Sequence, residues 1–484
     1  MDIIKNSAIL LVFLFSASCA NSEKENRTLA LKNEIDQYLT KTMELHNIPG
    51  LALAVVEEGE IIYENYFGKA SLEADSMVDK NTLFRIFSAT KLVTSTGVFQ
   101  LIQSGALDLN DTISKHLKDL PIHWKNIKIK HLLTHSSGLP DIIRYESSLS
   151  DDALMGQLFK DEMEFATGHQ FRYNQTNYWL LAQIIENVTG MPFDEYVLKN
   201  QFGNTTDGVV FSSNSQETIP NRATRYYYNS QTKTFEKDTR NNGTRGHSGN
   251  GLNITLNKFI EWNTQLDNNI ILDQSTKSMM WSPFDFTNQK DQFLHGWGNY
   301  SVNYLDSYGF SGGNLAAFRK FTKNDVTIIL LSNGYEIPGF DIIINDIARI
   351  AIPELSKQNL MFEEDVMNLV AKGQFEQAKQ AFKKLKDENP NSDFENVKWN
   401  INGIGNTHTA QNDLKKAFQV FKFNAEANPN WWVSLTALAE IYEMQKDTPN
   451  AIKNYQRATV QKMRFESKCQ FSFSLSILSS IHSL

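Results

Sequence analysis

Apolar residues recur at helical spacing near the start of the chain and then give way to strand-like runs. Leu29–Asn47 places its apolar side chains on one face of a helix. Leu51–Val56 and Ile61–Phe67 are apolar runs of β type, and the polar, glycine-containing segment Glu57–Glu60 separates them. The pattern predicts a helix followed by a β-hairpin.

The chain from there to about residue 355 predicts a helical region closed by further strands. The runs that carry this prediction are the helical stretches Lys91–Ser104 and Tyr178–Val188, the β-type runs Leu315–Phe321 and Val326–Leu331, and a last helix at Phe340–Ile350. Strands at both ends of a domain, with helices between them, indicate one antiparallel sheet covered by helices. We therefore expect an α+β domain over residues 26–355.

From about Met361 onward the pattern is helical throughout. Gly373–Ala378 and Asn412–Ala417 each precede an Asn-Pro pair, and Asp447–Ala451 opens a third copy. The alanines that end these segments are 39 and 34 residues apart. Helix pairs of this period are similar to tetratricopeptide-type repeats, which we expect over residues 361–465 as a site for a protein partner. An ordinary helical bundle is the alternative.

The first 20 residues have the pattern of an export signal. Lys5 precedes the unbroken apolar run Ile9–Phe15, and the small residues Ser16–Ala20 follow. The run is too short to cross a bilayer, and this order of segments is typical of a signal peptide. We therefore expect an exported protein, either periplasmic or anchored to a bacterial envelope.

Two ways of ending this signal remain open. Ser16-Ala17-Ser18-Cys19 resembles a bacterial lipobox, in which Cys19 becomes the lipidated first residue and anchors the chain to the membrane. It departs from that pattern because Ser16 stands where leucine is usual. Cleavage after Ala20 by ordinary signal peptidase is the alternative. The only other cysteine is Cys469, so an internal disulfide is excluded once Cys19 is removed or acylated.

Composition and charge exclude some classes of function. Of the 484 residues, 41% are hydrophobic and 21% are charged, with a formal net charge of -8. This is an ordinary globular balance. The sequence contains no basic stripe or arginine-rich run, so we do not expect a nucleic-acid partner.

The segment Ser88-Ala89-Thr90-Lys91 leads into an apolar helical run and is the first candidate for chemistry. Three residues make about one helical turn, so Ser88 and Lys91 share a face at the start of the helix. A desolvated lysine loses its proton more readily and can then accept the proton of a serine hydroxyl. A surface serine and lysine that merely open a core helix are the alternative.

Further blocks strengthen the first interpretation. The segments are Thr82–Lys91 followed by Leu101–Asp111, then His131–Pro140, then Phe171–Tyr178 followed by Ile184–Gly190. In this order, over roughly residues 30–350, they resemble class C β-lactamases, penicillin-binding proteins and DD-peptidases. The resemblance implies a β-lactamase-like sheet flanked by helices. It also implies hydrolysis of an ester or amide in a small molecule or peptide, without a metal or cofactor.

The same resemblance implies roles for individual residues. Ser88 would be the acyl-enzyme nucleophile and Lys91 its proton acceptor. Tyr173 matches the tyrosine of the family's Y-x-N element, which acts as general base and protonates the leaving group. The backbone N–H groups of Ser88 and Gly313 would form the oxyanion hole, because that role needs no side chain.

Two departures from the family pattern bear on the substrate. Gln175 stands where the Y-x-N element has asparagine, with Asn174 as a weaker substitute. Phe310-Ser311-Gly312-Gly313 occupies the place of K-T-G or H-x-G, so Phe310 replaces the cation or imidazole that would bind a substrate carboxylate. We expect Gln175, Phe310, Ser311 and Gly312 to line the substrate site, and an ester or another substrate without a carboxylate to be favoured.

Three rival motifs carry less weight. His247-Ser248-Gly249 could be the third family motif, but no strand is predicted after it. Gly309–Gly313 satisfies G-x-S-x-G with Ser311 as the nucleophile, but that elbow needs a following helix, and β-type runs follow instead. His131 and His135 lack the partners of a metal site, so we interpret them as structural.

Hydrolysis through Ser88 is therefore the leading prediction, and two other functions remain open. A catalytically inactive protein could keep the pocket for binding, which Phe310 and Gln175 would suit. Alternatively, the repeats could make the protein mainly a scaffold at the envelope.

Overall fold

A computed structural model describes residues 26–463 except 288–292, 338, 391 and 393. The predicted signal peptide with Cys19, and the second cysteine Cys469, lie outside the described residues. Within the described ranges, no helix is both long and apolar enough to span a membrane.

The chain begins with the predicted helix and hairpin. Helix α1 covers residues 26–46. The strands that follow are β1 (Gly50–Glu57), β2 (Glu60–Ser71), β3 (Ser76–Met77) and β4 (Phe84–Arg85). The turn between β1 and β2 contains Glu58 and Gly59, both with positive φ, which is why this polar segment reverses the chain.

A mainly helical region follows, as the sequence predicts. Its elements are the helices α2 (Thr90–Gln103), α3 (Ile129–Leu133), α4 (Asp151–Leu158), α5 (Gln175–Thr189) and α6 (Phe193–Gln201); the strands β5 (Val209–Phe211), β6 (Tyr226–Asn229) and β7 (Thr234–Lys237); and then α7 (His247–Asn250), β8 (Leu252–Ile254), α8 (Leu256–Asp267) and α9 (Gln274–Met280). Together with β4, the strands of this region form two small sheets, β4-β8-β5 and β6-β7.

Four strands and two helices complete this part of the chain. They are β9 (Gly298–Val302), β10 (Leu305–Gly312), β11 (Ala316–Phe321), β12 (Val326–Ser332), α10 (Phe340–Ala351) and α11 (Pro353–Ser356). The main sheet has seven strands in the order β3-β2-β1-β12-β11-β10-β9. β1 pairs antiparallel with β12, with Leu51 opposite Ser332. The expected antiparallel sheet built from both ends of the domain, and with it the α+β class, is confirmed.

Both faces of the central strands are buried. One face of β1, with Ala52, Ala54 and Val56, packs on the helical region. The other face, with Leu51, Leu53 and Val55, packs on α1 and α10. Burial on both faces explains why these strands are continuous apolar runs and do not alternate with polar residues.

The C-terminal part is helical and matches the predicted repeats. Its helices are α12 (Glu363–Ala371), α13 (Phe375–Glu388), α14 (Glu395–Ala410), α15 (Leu414–Ala427), α16 (Trp432–Met444) and α17 (residues 448–463). The three repeated alanines, Ala378, Ala417 and Ala451, are all buried. Small residues at these positions allow the paired helices to pack closely.

The first repeat is joined to the sheet domain through α10. Ile342 of α10 belongs to the same apolar cluster as Val366 and Met367 of α12. The carboxylate of Asp346 accepts the backbone N–H groups of Glu363 and Glu364, each at 2.9 Å. Asp346 therefore caps the start of α12 from the neighbouring domain.

Candidate active site

Ser88 lies in a short 3₁₀ turn, Phe87–Ala89, directly before α2. Phe87, the residue before the serine, has a φ of 47°. A bulky residue rarely adopts this left-handed conformation, and it persists only where surrounding packing enforces it. Phe87 is buried, whereas Ser88 is partly exposed, so the turn leaves the serine accessible from solvent.

The hydroxyl of Tyr173 donates a hydrogen bond to Ser88 Oγ at 2.7 Å. Burial raises the pKa of Tyr173 above its usual value, against the lowering effect of hydrogen bonds with Ser88 and Gln175. The phenol therefore keeps its proton at neutral pH. In this state it is a proton donor to Ser88 and not a ready-made base.

Lys91 is fully buried one helical turn after the serine. Its ammonium group donates to the backbone carbonyl of Gly249 at 2.8 Å and to Gln175 Oε1 at 3.1 Å. Its Nζ also lies 4.8 Å from the centroid of the Tyr173 ring. Burial lowers the pKa of Lys91 to about 7, although the carboxylate of Asp141 favours the charged form. A substantial share of the amine is thus neutral near pH 7.

The amide of Gln175 occupies the place expected for the family's asparagine, because its oxygen contacts Lys91. The side chain of Asn174 forms hydrogen bonds with other groups. Its side-chain oxygen accepts the N–H of Thr176 and caps α5, while its Nδ2 donates to the carbonyl of Leu139 at 2.6 Å. The neighbouring asparagine is therefore not available to replace Gln175.

The end of β10, which carries the segment in the place of K-T-G or H-x-G, lies against the serine turn. A Cβ atom at Gly312 would come within 2.8 Å of the backbone nitrogen of Ser88. Gly313 has a φ of 59°, and a Cβ there would lie 2.9 Å from the Phe87 ring. Only glycines allow this approach, which brings the two predicted oxyanion-hole residues to the same place.

Phe310 faces the site from the same strand. Its ring centroid is 6.3 Å from that of Tyr173 and 6.0 Å from that of Phe293, and its side chain is buried. The position that carries a cation or imidazole in the resembling proteins is thus part of an apolar, aromatic wall.

The prediction for Ser311 needs correction, because its side chain faces the opposite side of the sheet. Its hydroxyl donates to the carboxylate of Asp341 on α10 and accepts from Arg319. Alternate residues of a strand point to opposite faces, so the side chain of Ser311 is directed away from the face that carries Phe310. The same orientation argues against Ser311 as a nucleophile.

Two contributors to the site were missed at the sequence level. The segment with Gly249, discounted as a third motif, supplies the carbonyl that binds Lys91. His135, interpreted as structural, is fully buried with its ring centroid 4.5 Å from that of Tyr173. A backbone carbonyl leaves no side-chain signal in a sequence, whereas the pair His131 and His135, four residues apart, is visible in it.

His131 fits the structural interpretation. Its Nδ1 accepts the N–H of Lys128 at 3.1 Å and caps α3. Among the residues that the structure describes, no group of three or more histidine, cysteine, aspartate or glutamate side chains is arranged to hold a metal ion.

The comparison with family models divides the chain in the same way as the fold. Residues 35–351 match the model described as Beta-lactamase, and residues 366–392 match a tetratricopeptide repeat model. Among curated proteins, Protein flp of Staphylococcus aureus (strain NCTC 8325 / PS 47) is 30% identical over 179 residues, 34% of this chain and 35% of that protein. Penicillin-binding protein 4* of Bacillus subtilis (strain 168) is 26% identical over 273 residues, 52% of this chain and 60% of that protein. The chain thus spans less than two thirds of the length of either relative.

Solved structures share the fold at low sequence identity. The octameric penicillin-binding protein homologue from Pyrococcus abyssi has a TM-score of 0.57 and 19% identity, covering 68% of this chain and 81% of its own. The D-amino acid amidase from Ochrobactrum anthropi SV3 has a TM-score of 0.56 and 20% identity, covering 67% and 98%. EstCE1, a hydrolase with promiscuous acyltransferase activity, has a TM-score of 0.54 and 16% identity, covering 68% and 99%. The family match spans more than half of the chain, and the chain belongs to the beta-lactamase family.

Proposed function

We propose that the protein is a serine hydrolase that cleaves an ester or amide through an acyl-enzyme on Ser88. The observation that carries the proposal is the hydrogen bond of 2.7 Å between Tyr173 and Ser88, beside a buried Lys91 whose pKa lies near 7. A nucleophile, a proton-carrying phenol and a neutral amine are the groups that acyl transfer needs.

In the proposed reaction, Ser88 Oγ attacks the carbonyl carbon of the substrate. The serine proton passes to the phenol oxygen of Tyr173 as Tyr173 gives its own proton to the neutral amine of Lys91. The reverse transfer protonates the leaving alcohol or amine when its bond to the carbonyl carbon breaks. Water then repeats the sequence on the acyl-enzyme, which releases the acid and restores Ser88. The N–H groups of Ser88 and Gly313 would hold the developing oxyanion.

The wall around the site favours an uncharged group next to the scissile bond. Phe310 packs between Tyr173 and Phe293 and offers no donor to a carboxylate. Burying an unpaired carboxylate against these rings would cost several kcal/mol. We therefore propose a neutral ester or amide at this position. The likeness to an amidase and to an acyl-transferring hydrolase is consistent with either bond.

A binding protein without turnover is the second candidate, and the substitutions at Phe310 and Gln175 favour it. In that case the pocket would hold a ligand while the repeats contact a protein partner. Export remains part of either proposal, on the strength of the N-terminal apolar run. Cys19→Ala tests the lipid anchor: the variant should leave the membrane fraction, and unchanged fractionation would exclude lipidation at Cys19.

The test of the hydrolase proposal is intact-mass labelling with a fluorophosphonate probe. Wild type should gain one adduct, Ser88→Ala should gain none, and Ser311→Ala should be labelled like wild type because its hydroxyl faces α10. No adduct on folded wild-type protein would favour the binding protein. Loss of the adduct only in Ser311→Ala would reject Ser88 as the nucleophile.

A further inference from the structure

A cavity of about 390 Å³ is lined by Arg85 and Arg225 and by none of the proposed catalytic side chains. Two residues that line it contact the ring of Phe87, the residue before Ser88. The guanidinium carbon of Arg85 lies 4.7 Å from the ring centroid, and that of Arg225 lies 5.8 Å from it.

The lining of this cavity carries more positive than negative charge. Its cationic side chains are Arg85, Arg222, Arg225 and Lys237, and its acidic side chains are Glu217 and Asp238. Lys237 is paired with Glu73 at 3.5 Å, so the excess positive charge belongs to the three arginines. Asp238 is buried and is shared, since Arg225 lies 3.7 Å from its carboxylate and Arg240 lies 3.1 Å from it. One buried carboxylate is therefore the ion-pair partner of two arginines.

Two of the arginines are held by neutral partners. Arg85 donates to the backbone carbonyl of Asn250 at 2.9 Å, to the Asn250 side chain at 2.7 Å and to the hydroxyl of Ser215 at 3.2 Å. Arg222 donates to three backbone carbonyls, those of Asn214, Ser215 and Glu217. Within the described part of the chain, neither arginine forms an ion pair.

This excess charge affects the arginines themselves. Burial lowers the pKa of Arg85 to about 10, with a further lowering by the positive charge of neighbouring arginines, although the carboxylate of Asp238 favours the charged form. Backbone carbonyls satisfy the geometry of a guanidinium but do not neutralise it, and like charges at this depth repel each other. A ligand that brings negative charge would relieve that repulsion.

We propose that this cavity binds a small oxyanion, namely a carboxylate or phosphate group. Guanidinium groups match both anions through paired N–H donors, and the space suffices for a small molecule. The site is distinct from the proposed catalytic groups, so its test needs no turnover. Its anion could be a free ligand or the charged end of a substrate that extends past Phe87.

The first experiment measures thermal stability and binding heat with inorganic phosphate, against chloride at the same ionic strength. Phosphate should raise the Tm of the wild-type protein by about 2 °C near saturation. Arg225→Gln should weaken the phosphate Kd about tenfold or more, and Arg225→Lys should restore part of the affinity because it restores the charge. Arg457→Gln, which removes an equal charge on α17, should bind phosphate like wild type.

A second variant tests the proposal even if the arginine variants fail to fold. Gln216 lines the same cavity and is exposed. Gln216→Glu, which is nearly isosteric, should raise the Tm without phosphate and abolish the response to phosphate. An equal response in wild type, Gln216→Glu and Arg225→Gln, or no response in wild type, would overturn the proposal.

Pairs of substrates distinguish a free anion from the charged end of a substrate. Matched 4-nitrophenyl esters with a neutral or a carboxylate-ended acyl chain would be compared in wild type and Arg225→Gln. A higher KM in the variant for the acidic esters alone would assign the site to the substrate. Equal effects on both esters, with phosphate binding intact in wild type, would assign it to a free anion.

Discussion

His135 holds the backbone on both sides of Tyr173. Its carbonyl accepts the N–H of Arg172 at 2.9 Å, and its ring Nδ1 accepts the N–H of Asn174 at 3.2 Å. The ring centroids of His135 and Tyr173 lie 4.5 Å apart, with the ring planes tilted by 42°. Burial, with the nearby charge of Lys91, keeps the pKa of His135 well below its usual value, so the ring is neutral and Nδ1 can accept. His135 is thus a positioning residue for the phenol that reaches Ser88.

Matched variants of His135 should distinguish the contribution of its hydrogen-bond acceptor from that of its aromatic ring. His135→Phe keeps an aromatic ring against Tyr173 but leaves the N–H of Asn174 without an acceptor, so the rate of Ser88 labelling should fall about tenfold to a hundredfold. His135→Asn places an oxygen near the Nδ1 position and tolerates the φ of 54° found there.

The measurement is the labelling rate by the fluorophosphonate probe, with Tm recorded for each variant. The asparagine variant should lose less activity than the phenylalanine variant. If the two variants lose equal activity at equal Tm, the hydrogen bond to Asn174 does not position Tyr173.

The pH dependence of labelling should report the titration of Lys91. The neutral amine is the proposed proton acceptor, and burial lowers the pKa of Lys91 to about 7. The labelling rate should therefore be low in acid and increase with pH, and the midpoint of this increase should lie near pH 7. A rate that stays constant between about pH 5 and pH 9 would show that Lys91 is not the acceptor.

Asp141→Asn should move that midpoint to lower pH. The carboxylate of Asp141 favours the charged form of Lys91, so its removal should lower the pKa of the lysine further. Asparagine keeps an oxygen that can accept the N–H groups of Ile143 and Gln175, each now 3.2 Å from Asp141 Oδ1. A midpoint that moves to higher pH, measured by the same labelling assay, would contradict the assigned sign.

Gly249→Ala should disturb the lysine while leaving the fold intact. The added Cβ would lie 2.9 Å from Gln175 Oε1 and 3.4 Å from Lys91 Nζ, so the amine or the amide must shift. We expect about a tenfold loss of labelling rate. Gly156→Ala is the matched control, because nothing lies within 4 Å of its new Cβ; it should leave labelling unchanged and stabilise α4 by about 0.5 to 1 kcal/mol.

Asp346→Ala should loosen the junction between the sheet domain and the repeats. The change removes the acceptor of two backbone N–H groups at the start of α12 and one carboxylate partner of the buried Arg349. The loss should be about 3 to 5 kcal/mol of unfolding free energy, measured by denaturant titration. Asp306→Ala, at an exposed carboxylate that accepts from Ser301, should cost less than about 1 kcal/mol.

Strands with continuous apolar runs were predictable from the sequence, whereas short or polar ones were not. β1, β2, β11 and β12 begin and end within a few residues of the predicted runs. β10 was missed as a strand of eight residues because Tyr308–Gly312 is rich in glycine and polar residues, so no alternation is visible. The strands of two or three residues in the sheet β4-β8-β5 are shorter than any periodic pattern can reveal.

The three side chains proposed for catalysis were predictable, and the backbone conformations around them were not. Ser88 and Lys91 were predicted from their spacing together with the family resemblance, and Tyr173 from the resemblance alone; the structure brings the three side chains together. The left-handed φ of Phe87 and the carbonyl of Gly249 arise from tertiary packing, which a single sequence does not encode in a local pattern. The face of Ser311 was mispredicted because the motif comparison fixed its position and not the direction of its side chain.

The pairing of β1 with β12 also sets the order in which this protein can fold. Leu51 lies opposite Ser332, about 280 residues later in synthesis. Until β12 emerges, an apolar strand that is buried on both faces has no partner on that edge, and such strands associate with other chains. The nascent chain must therefore be kept from aggregating for most of its synthesis, and the sheet can close only after Ser332 has left the ribosome.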